Sequence, residues 1–261
     1  IYTLSLHDAL PIYQPLAQAV GQVVIAASRD ETLPLLTSVQ MQVEGERLTL
    51  MATDRYRLAV REMTWSPQDA GLTTHALLKA RTLSDVAKSL TSTGDVTVAL
   101  TEAGASSSGL IGFEAGGRRT TSLLTDGDYP PVLRLFPEET TIHAAVGREE
   151  LMAAVRRVSL VADRSTPIHM SFTEGSLSLD AGTGDDAQAS ERLDAHLDGQ
   201  DISTAFNPGY LLDGLGAITR PYVTLDFTHP SKPAVLTGVS EIGGEADPSF
   251  RYLIMPIRFG A

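Results

Sequence analysis

The fold is decided by the stretch Val39-Gln40-Met41-Gln42-Val43, its turn Glu44-Gly45-Glu46, and the return Leu48-Thr49-Leu50-Met51. Apolar and polar side chains alternate along the first arm, and a period of two residues is typical of a strand with one buried face. The glycine between two glutamates supplies the tight turn. This stretch therefore predicts an antiparallel β-hairpin.

The hairpin pattern recurs in the second half of the chain. Ile168-His169-Met170-Ser171-Phe172 alternates, Glu174-Gly175 turns, and Leu177-Ser178-Leu179 returns, about 130 residues after the first copy. Val223-Thr224-Leu225 repeats Val96-Thr97-Val98 at a similar offset. A unit that repeats at a near-constant offset predicts two similar domains in tandem.

Each copy also contains two stretches with helical spacing of apolar residues. The predicted helices are 15–27, 79–90, 148–161 and 208–218, and further strands are predicted at 57–63, 95–100, 109–114, 118–124 and 252–259. The predicted fold class is α+β, with two helices packed on antiparallel β-sheet in each domain.

The predicted domains are 13–137 and 138–261, divided at the polar connector Pro137-Glu138-Glu139-Thr140. Residues 1–12 fit neither copy of the repeat and lack the basic start and long apolar core of a signal peptide. We expect them to be a non-native, adapter-derived segment that packs against nothing specific.

Composition excludes several classes of protein. The 261 residues include no cysteine, which excludes disulfides, thiolate zinc sites and cysteine nucleophiles. No apolar run approaches the roughly 20 residues of a spanning helix. The predicted location is cytoplasmic.

No catalytic residue, metal site or cofactor is predicted. The six histidines are scattered singly, without the spacing of a zinc site or a catalytic triad. The stretch 180–191 has the acidic residues of a calcium loop but no glycine at the sixth position, so we interpret it as a hairpin turn.

Charge alone argues against a nucleic-acid-binding protein, because the formal net charge is -12. The acidic residues concentrate in turns and strand ends, whereas several basic residues lie on or beside the predicted helices. Either these basic residues face DNA or they are ordinary solvated helix surface. The candidates are Lys79, Arg81, Lys88, Arg156, Arg157 and Arg220.

Two motifs carry a family resemblance: Ala52-Thr53-Asp54-Arg55-Tyr56-Arg57-Leu58-Ala59 and Tyr252-Leu253-Ile254-Met255-Pro256-Ile257-Arg258-Phe259. Between them stand Asp126-Gly127-Asp128-Tyr129-Pro130 and Phe206-Asn207-Pro208-Gly209-Tyr210. Together they resemble the bacterial sliding clamps, the beta subunits of DNA polymerase III, and in particular actinobacterial members. The resemblance covers the second and third of the family's three domains.

The resemblance implies a processivity factor, not an enzyme: a homodimeric ring that encircles duplex DNA without reading its sequence. It implies partners that dock by short peptides of the glutamine-leucine-x-leucine-phenylalanine type, namely the replicative polymerase, the clamp loader and repair proteins. The peptide cleft would lie beside the junction of the two domains. The matching positions are Leu36, Thr53, Arg55, Tyr56, Arg57, Leu58, Pro137, Asn207, Tyr210, Ala234, Leu253, Ile254, Met255, Pro256, Ile257 and Arg258.

Two alternatives remain open at this point. One is an enzyme built on a duplicated α+β unit, which would need converging polar groups in a deep pocket. The other is a stand-alone peptide-binding module that never clamps DNA. Several of the cleft positions, Leu253 above all, also suit ordinary core strand residues.

Overall fold

The computed structural model describes residues 2–5, 13–90, 96–101, 109–161, 166–182 and 188–257. Most of the predicted adapter segment, part of the acidic stretch 180–191, and Arg258 and Phe259 lie outside the described residues. The chain divides into two compact units, Ile1–Val132 and Leu133–Ala261. The division thus precedes Pro137, whereas the sequence pattern predicts a boundary after it.

Unit 1 contains two helices and eight strands in its described residues. In chain order they are β1 (Tyr2–Ser5), α1 (Tyr13–Val24), β2 (Ser38–Glu44), β3 (Arg47–Thr53), β4 (Arg57–Thr64), β5 (Thr73–Lys79), α2 (Ala80–Ser89), β6 (Thr97–Thr101), β7 (Leu110–Ala115) and β8 (Arg118–Leu123). The strands pair antiparallel in the orders β4-β3-β2-β5 and β1-β6-β7-β8. The predicted hairpin is confirmed as β2 and β3, with Gln40 opposite Met51.

Unit 2 has two α-helices, a 3-10 helix at Ser159–Val161 and nine strands in its described residues. They are β9 (Ile142–Gly147), α3 (Arg148–Val158), β10 (Ile168–Thr173), β11 (Ser176–Ala181), β12 (Ala189–Asp194), β13 (His196–Asp198), β14 (Ile202–Phe206), α4 (Pro208–Ala217), β15 (Tyr222–Phe227), β16 (Ala234–Val239) and β17 (Phe250–Ile254). The antiparallel orders are β12-β11-β10-β14 and β13-β9-β15-β16-β17.

The two units repeat one topology. The order β4-β3-β2-β5 corresponds to β12-β11-β10-β14, and β1-β6-β7-β8 corresponds to β9-β15-β16-β17. Among the described strands, β13 of unit 2 is the one that has no counterpart in unit 1. The α+β fold class is confirmed, since each unit packs two helices with antiparallel strands.

The alternation of apolar and polar residues along the hairpin strands determines which side chains enter the core. Val39, Met41 and Val43 of β2 are almost fully buried, while the residues between them are partly exposed. Burying each such side chain contributes about 1.5–3 kcal/mol to folding. The hydrophobic period therefore fixes which face of the hairpin packs against the helices.

Two expectations from the sequence are wrong. Tyr2–Ser5 do not stand free of the fold, because they form β1 and pair with β6. The last strand ends at Ile254, and the described residues that follow it, Met255 to Ile257, are not in a strand. Its end has a physical cause: Pro256 has no backbone N–H, and it restricts the residue before it.

Candidate functional site: a fixed turn and a docked C-terminal segment

The turn between β3 and β4, together with the strand residues on either side of it, carries five of the predicted peptide-binding residues. The Thr53 hydroxyl donates to the Arg57 carbonyl at 2.6 Å. The Asp54 carboxylate accepts the backbone N–H groups of Tyr56 at 3.0 Å and of Arg57 at 3.1 Å. Arg55 has a φ of 81°, the left-handed conformation that the tight turn requires. Local side-chain bonds thus set the shape of this turn.

Arg57 supports the turn from within. Its Nε lies 2.9 Å from Asp54 Oδ2, and both side chains are largely buried. A charge-assisted bond in a buried position is strong, and loss of one partner leaves the other charge uncompensated. We therefore assign Arg57 to the framework of the turn instead of its exposed rim.

Tyr129 ties a second motif to this turn. Its hydroxyl accepts the backbone N–H of Thr53 at 3.0 Å in a buried setting. Burial raises the pKa of the Tyr129 phenol, against the opposing effect of the Thr53 bond. The sequence motifs 52–59 and 126–130 therefore meet inside unit 1. Sequence reasoning missed this supporting role, although the tyrosine stood in a quoted motif.

The exposed part of the turn is small and aromatic. Tyr56 is 54% exposed, and the Arg55 guanidinium lies 6.0 Å from the centre of its ring. Leu58, in contrast, is 0% exposed and belongs to the core. Leu36 is half-buried in the segment before β2, where its carbonyl accepts the N–H of Ser28 at 2.8 Å.

In unit 2 the segment after β17 is docked beside the start of α4. The Ile257 N–H donates to the Ala205 carbonyl at 2.8 Å. The Tyr252 hydroxyl donates to the Tyr210 carbonyl, also at 2.8 Å. Asn207 caps α4, because its Oδ1 accepts the N–H of Tyr210 at 3.1 Å. We call Asn207, Tyr210, Met255, Pro256 and Ile257 the C-terminal group.

Burial separates the C-terminal group from the other predicted positions in unit 2. Met255 is 37% exposed, and the remaining members of the group are half-buried. Ala234, Leu253 and Ile254 are buried strand residues, as the alternative of ordinary core residues expects. Pro137 is half-buried and follows Phe136, whose ring lies 4.5 Å from the Arg251 guanidinium.

The six predicted DNA-facing residues differ in their partners. Lys79 ends β5, Arg81 and Lys88 lie on α2, and Arg156 and Arg157 lie in the last turn of α3. Arg220 lies in the loop after α4, not on a helix face, and pairs with Asp247 at 3.1 Å. Arg157 pairs with Glu191, and Lys88 lies 3.6 Å from Asp85. In the part of the chain that the structure describes, Lys79, Arg81 and Arg156 have no ion pair.

The pKa shifts of Glu191 and Asp247 show that both carboxylates interact with the arginines beside them. Hydrogen bonding from Arg157 lowers the pKa of Glu191, and the same bond raises the pKa of Arg157. Burial acts to raise the pKa of Asp247, but bonds from Ser249 and Arg220 hold it below its ordinary value. Arg157 and Arg220 are therefore already engaged by carboxylates within unit 2, which leaves less of their charge for phosphates.

Within the described ranges, no three His, Cys, Asp or Glu side chains gather closely enough to hold a metal ion. None of the described helices has the length and apolar character needed to cross a membrane.

Comparisons with known proteins agree with this geometry. The family model for the central domain of the DNA polymerase III beta subunit matches residues 13–131. The family model for the C-terminal domain of the same subunit matches residues 133–258. The beta sliding clamp of Streptomyces coelicolor is 52% identical over 242 residues, which cover 93% of this chain and 64% of that protein.

Solved structures show the same fold. The sliding clamp of Bacillus subtilis matches with a TM-score of 0.87 and 24% identity, over 99% of this chain and 64% of that one. A Pseudomonas aeruginosa sliding clamp, solved bound to griselimycin, matches with a TM-score of 0.86 and 22% identity, over 98% of this chain and 65% of that one. This chain thus spans about two thirds of the length of its relatives. It belongs to the family of DNA polymerase III beta subunits, the bacterial sliding clamps, and matches their central and C-terminal domains.

Proposed function

We propose that this chain is the peptide-binding part of a cytoplasmic, non-catalytic processivity factor for a DNA polymerase. In the full-length protein, a homodimeric ring encircles duplex DNA and tethers the replicative polymerase, the clamp loader and repair proteins. One observation carries the proposal: exposed apolar side chains, Tyr56 and Met255, extend from backbone that buried or local hydrogen bonds hold in place.

The chemistry of these side chains suits a short linear peptide. Met255 is an adaptable, polarisable wall for leucine or phenylalanine, and Tyr56 adds a flat ring with a polar end. Because the turn and the C-terminal segment are already ordered, less entropy is lost when a peptide binds. The half-buried Tyr210, Pro256 and Ile257 would supply further apolar contact.

DNA contact is proposed for the basic residues that lack an ion pair among the described residues, Lys79, Arg81 and Arg156. They would contact phosphates, which position a protein on DNA without reading its sequence. The net charge of -12 keeps this attraction weak, as sliding requires.

Titration of a fluorescent peptide of the glutamine-leucine-x-leucine-phenylalanine type tests the proposal by anisotropy. We expect micromolar affinity for the unchanged chain. Met255→Ala and Tyr56→Ala should each weaken binding by roughly fivefold, the effect of losing about 1 kcal/mol. Both side chains are exposed, so these changes should leave the fold intact. Leu58→Asp is unsuitable, because it would place a charge in the core.

Leu123→Ala is the matched control, because Leu123 on β8 is 65% exposed and is not among the candidate peptide-binding residues. It should leave the affinity unchanged. Absence of binding by the folded chain at high micromolar peptide would refute the proposal, as would equal effects of Leu123→Ala and Met255→Ala.

A second candidate function is a peptide-binding module that does not clamp DNA. The observation in its favour is that Lys88, Arg157 and Arg220 already face carboxylates. Peptide binding without any DNA-dependent gain in polymerase processivity by the full-length protein would favour this candidate.

A further inference from the structure

The C-terminal group is built from two separate segments of unit 2. Tyr210 stands at the start of α4, whereas Met255 follows the end of β17. A peptide that contacts both side chains needs a fixed spacing between the helix and the strand, because a binding site that is loose by about 1 Å binds poorly. Tyr252 of β17, three residues before Met255, connects the two segments.

Tyr252 contacts α4 at two points, one helical turn apart. Its hydroxyl donates to the Tyr210 carbonyl at 2.8 Å, and the residue is 0% exposed. Its ring lies against the backbone of Gly214, where an added Cβ would come within 2.5 Å of the ring atoms Cδ1 and Cε1. Residues four apart lie on one face of a helix, so both contacts hold the same face of α4. A side chain at position 214 would displace the ring.

The backbone of Tyr210 is held at both of its polar groups. Its N–H donates to Oδ1 of Asn207 at 3.1 Å, and its carbonyl accepts the Tyr252 hydroxyl at 2.8 Å. The Tyr210 side chain is half-buried, so a fixed backbone presents a partly exposed ring. A residue whose backbone is already ordered loses less entropy when a ligand binds to its side chain.

Unit 1 contains a counterpart of this region. The Leu77 carbonyl accepts the N–H of Thr125 at 2.8 Å, as the Ala205 carbonyl accepts the N–H of Ile257 at 2.8 Å. Leu77 lies on β5 and Ala205 on β14, which occupy the same place in the two topologies, and each lies three residues before the helix that follows. Thr125 therefore aligns with Ile257, and α2 aligns with α4.

The bonds that fix Tyr210 are missing at the aligned positions of unit 1. Thr120, an exposed residue of β8, aligns with Tyr252, since each stands five residues before the aligned docked residue. Lys79 aligns with Asn207, and among the described residues it makes no side-chain cap bond to α2. The topology therefore forms without these bonds, which indicates that they serve the candidate site of unit 2 and not the fold alone.

We propose that Tyr252 is a positioning residue of the peptide site, which fixes the backbone of Tyr210 relative to the strand that ends beside Met255. The inference rests on the proposed function, because it concerns the same site. Tyr252 itself is fully buried and does not reach a bound peptide. It affects peptide binding through Tyr210.

Tyr252→Phe tests this role, because it removes the hydroxyl and leaves the ring against Gly214. Anisotropy of a labelled peptide of the glutamine-leucine-x-leucine-phenylalanine type should show binding weakened roughly fivefold. Tyr222→Phe is the matched control, the same chemical change at a half-buried position on β15, and should leave the affinity unchanged. Urea denaturation of each variant identifies the conditions in which it is fully folded, and binding is measured there.

A double-mutant cycle separates positioning from a general loosening of the fold. In a Tyr210→Ala background, Tyr252→Phe should change the affinity by less than about twofold, because the side chain that it positions is gone. In a Tyr56→Ala background it should keep its roughly fivefold effect. A fivefold loss that persists in the Tyr210→Ala background would show that Tyr252 acts on the fold as a whole and would overturn the proposal.

Failure of this inference differs from failure of the proposed function. If the unchanged chain binds the peptide and Tyr252→Phe binds it equally well, the role of Tyr252 is refuted while the proposed function stands. If the folded, unchanged chain binds no peptide at high micromolar concentration, the proposed function is refuted, and the positioning role with it.

Discussion

At the scale of single residues, buried polar side chains hold the backbone that presents the exposed side chains. Asp54 organises the turn through two backbone N–H groups and Arg57, and Tyr129 accepts the N–H of Thr53. Neither residue is among the predicted peptide-binding positions. Their effect on binding would come through the backbone that presents Tyr56.

Tyr129→Phe should lower the free energy of unfolding by about 1–3 kcal/mol, because the buried N–H of Thr53 loses its acceptor. Urea denaturation measures the loss. Tyr222→Phe is the control, since this half-buried tyrosine on β15 should change stability by less than about 0.5 kcal/mol. Equal losses for the two variants would contradict the assigned role of Tyr129.

The half-buried carboxyl of Asp226 predicts a pH dependence of stability. Burial raises the pKa of Asp226 above its ordinary value of 3.8, although bonds from His143 and Thr224 oppose the rise. The folded chain therefore keeps this proton at pH values where the unfolded chain has released it. Stability from this group is full below pH 3.8 and is lost as the pH rises through the folded pKa.

Asp226→Asn should remove that loss and flatten the curve of unfolding free energy against pH just above 3.8. Urea midpoints at a series of pH values measure the slope. Asp201→Asn, at an exposed position before β14, should leave the curve unchanged. A slope that is the same in the unchanged chain and in Asp226→Asn would show that burial of this carboxyl has no effect on folding.

At the scale of elements, one helix start serves both stability and the candidate site. Asn207 caps α4, and Pro208 follows at the first helical position, where its missing N–H costs nothing. The segment after β17 docks beside this start through Ile257 and Ala205. The same asparagine is thus a capping residue and a proposed peptide contact.

Asn207→Ala should cost about 1 kcal/mol of stability, because α4 loses its side-chain cap. Asn207→Ser should keep most of that stability, since serine caps nearly as well, but it lacks the amide. Denaturation and peptide anisotropy on both variants separate the two roles. Weaker peptide binding by the serine variant supports a direct contact, and unchanged binding by it restricts Asn207 to capping.

At the scale of the whole molecule, duplication of one topology and an acidic balance are the dominant features. The relatives are longer than this chain, which matches 64% of the Streptomyces coelicolor clamp. A sliding clamp holds DNA by closure, while an open protein of net charge -12 has little attraction for phosphates once salt screens it.

We therefore expect these 261 residues alone to form no stable ring and to bind duplex DNA weakly, with affinity that falls as salt rises. Gel filtration and retention on circular plasmid after a high-salt wash measure both properties. Arg81→Ala with Arg156→Ala should weaken the residual binding and reduce its salt dependence. Retention on circular DNA that disappears when the plasmid is linearised would contradict this expectation.

Periodicity explains which elements the sequence predicts and which it misses. Strands β2 and β10 and all four α-helices were predictable, because each has one buried face. Strand β3 is buried from Leu48 to Thr53 and was predictable only as the return of the hairpin after its glycine turn. Strand β16 was not, since all six of its residues are buried and no alternation remains to mark it. Strand β1 was missed because its pairing with β6 joins residues more than 90 positions apart.

The sequence by itself determined the fold class, the duplication and the family, because local periods and motifs are properties of the chain alone. It also placed Tyr56 and Met255 among the candidate residues. Only the tertiary structure decided that Leu58, Ala234, Leu253 and Ile254 are core, that Arg57 supports the turn, and that Arg157 and Arg220 are already paired. The physical reason is that burial and ion pairing depend on distant segments meeting in space, as Tyr129 meets Thr53 and Asp247 meets Arg220.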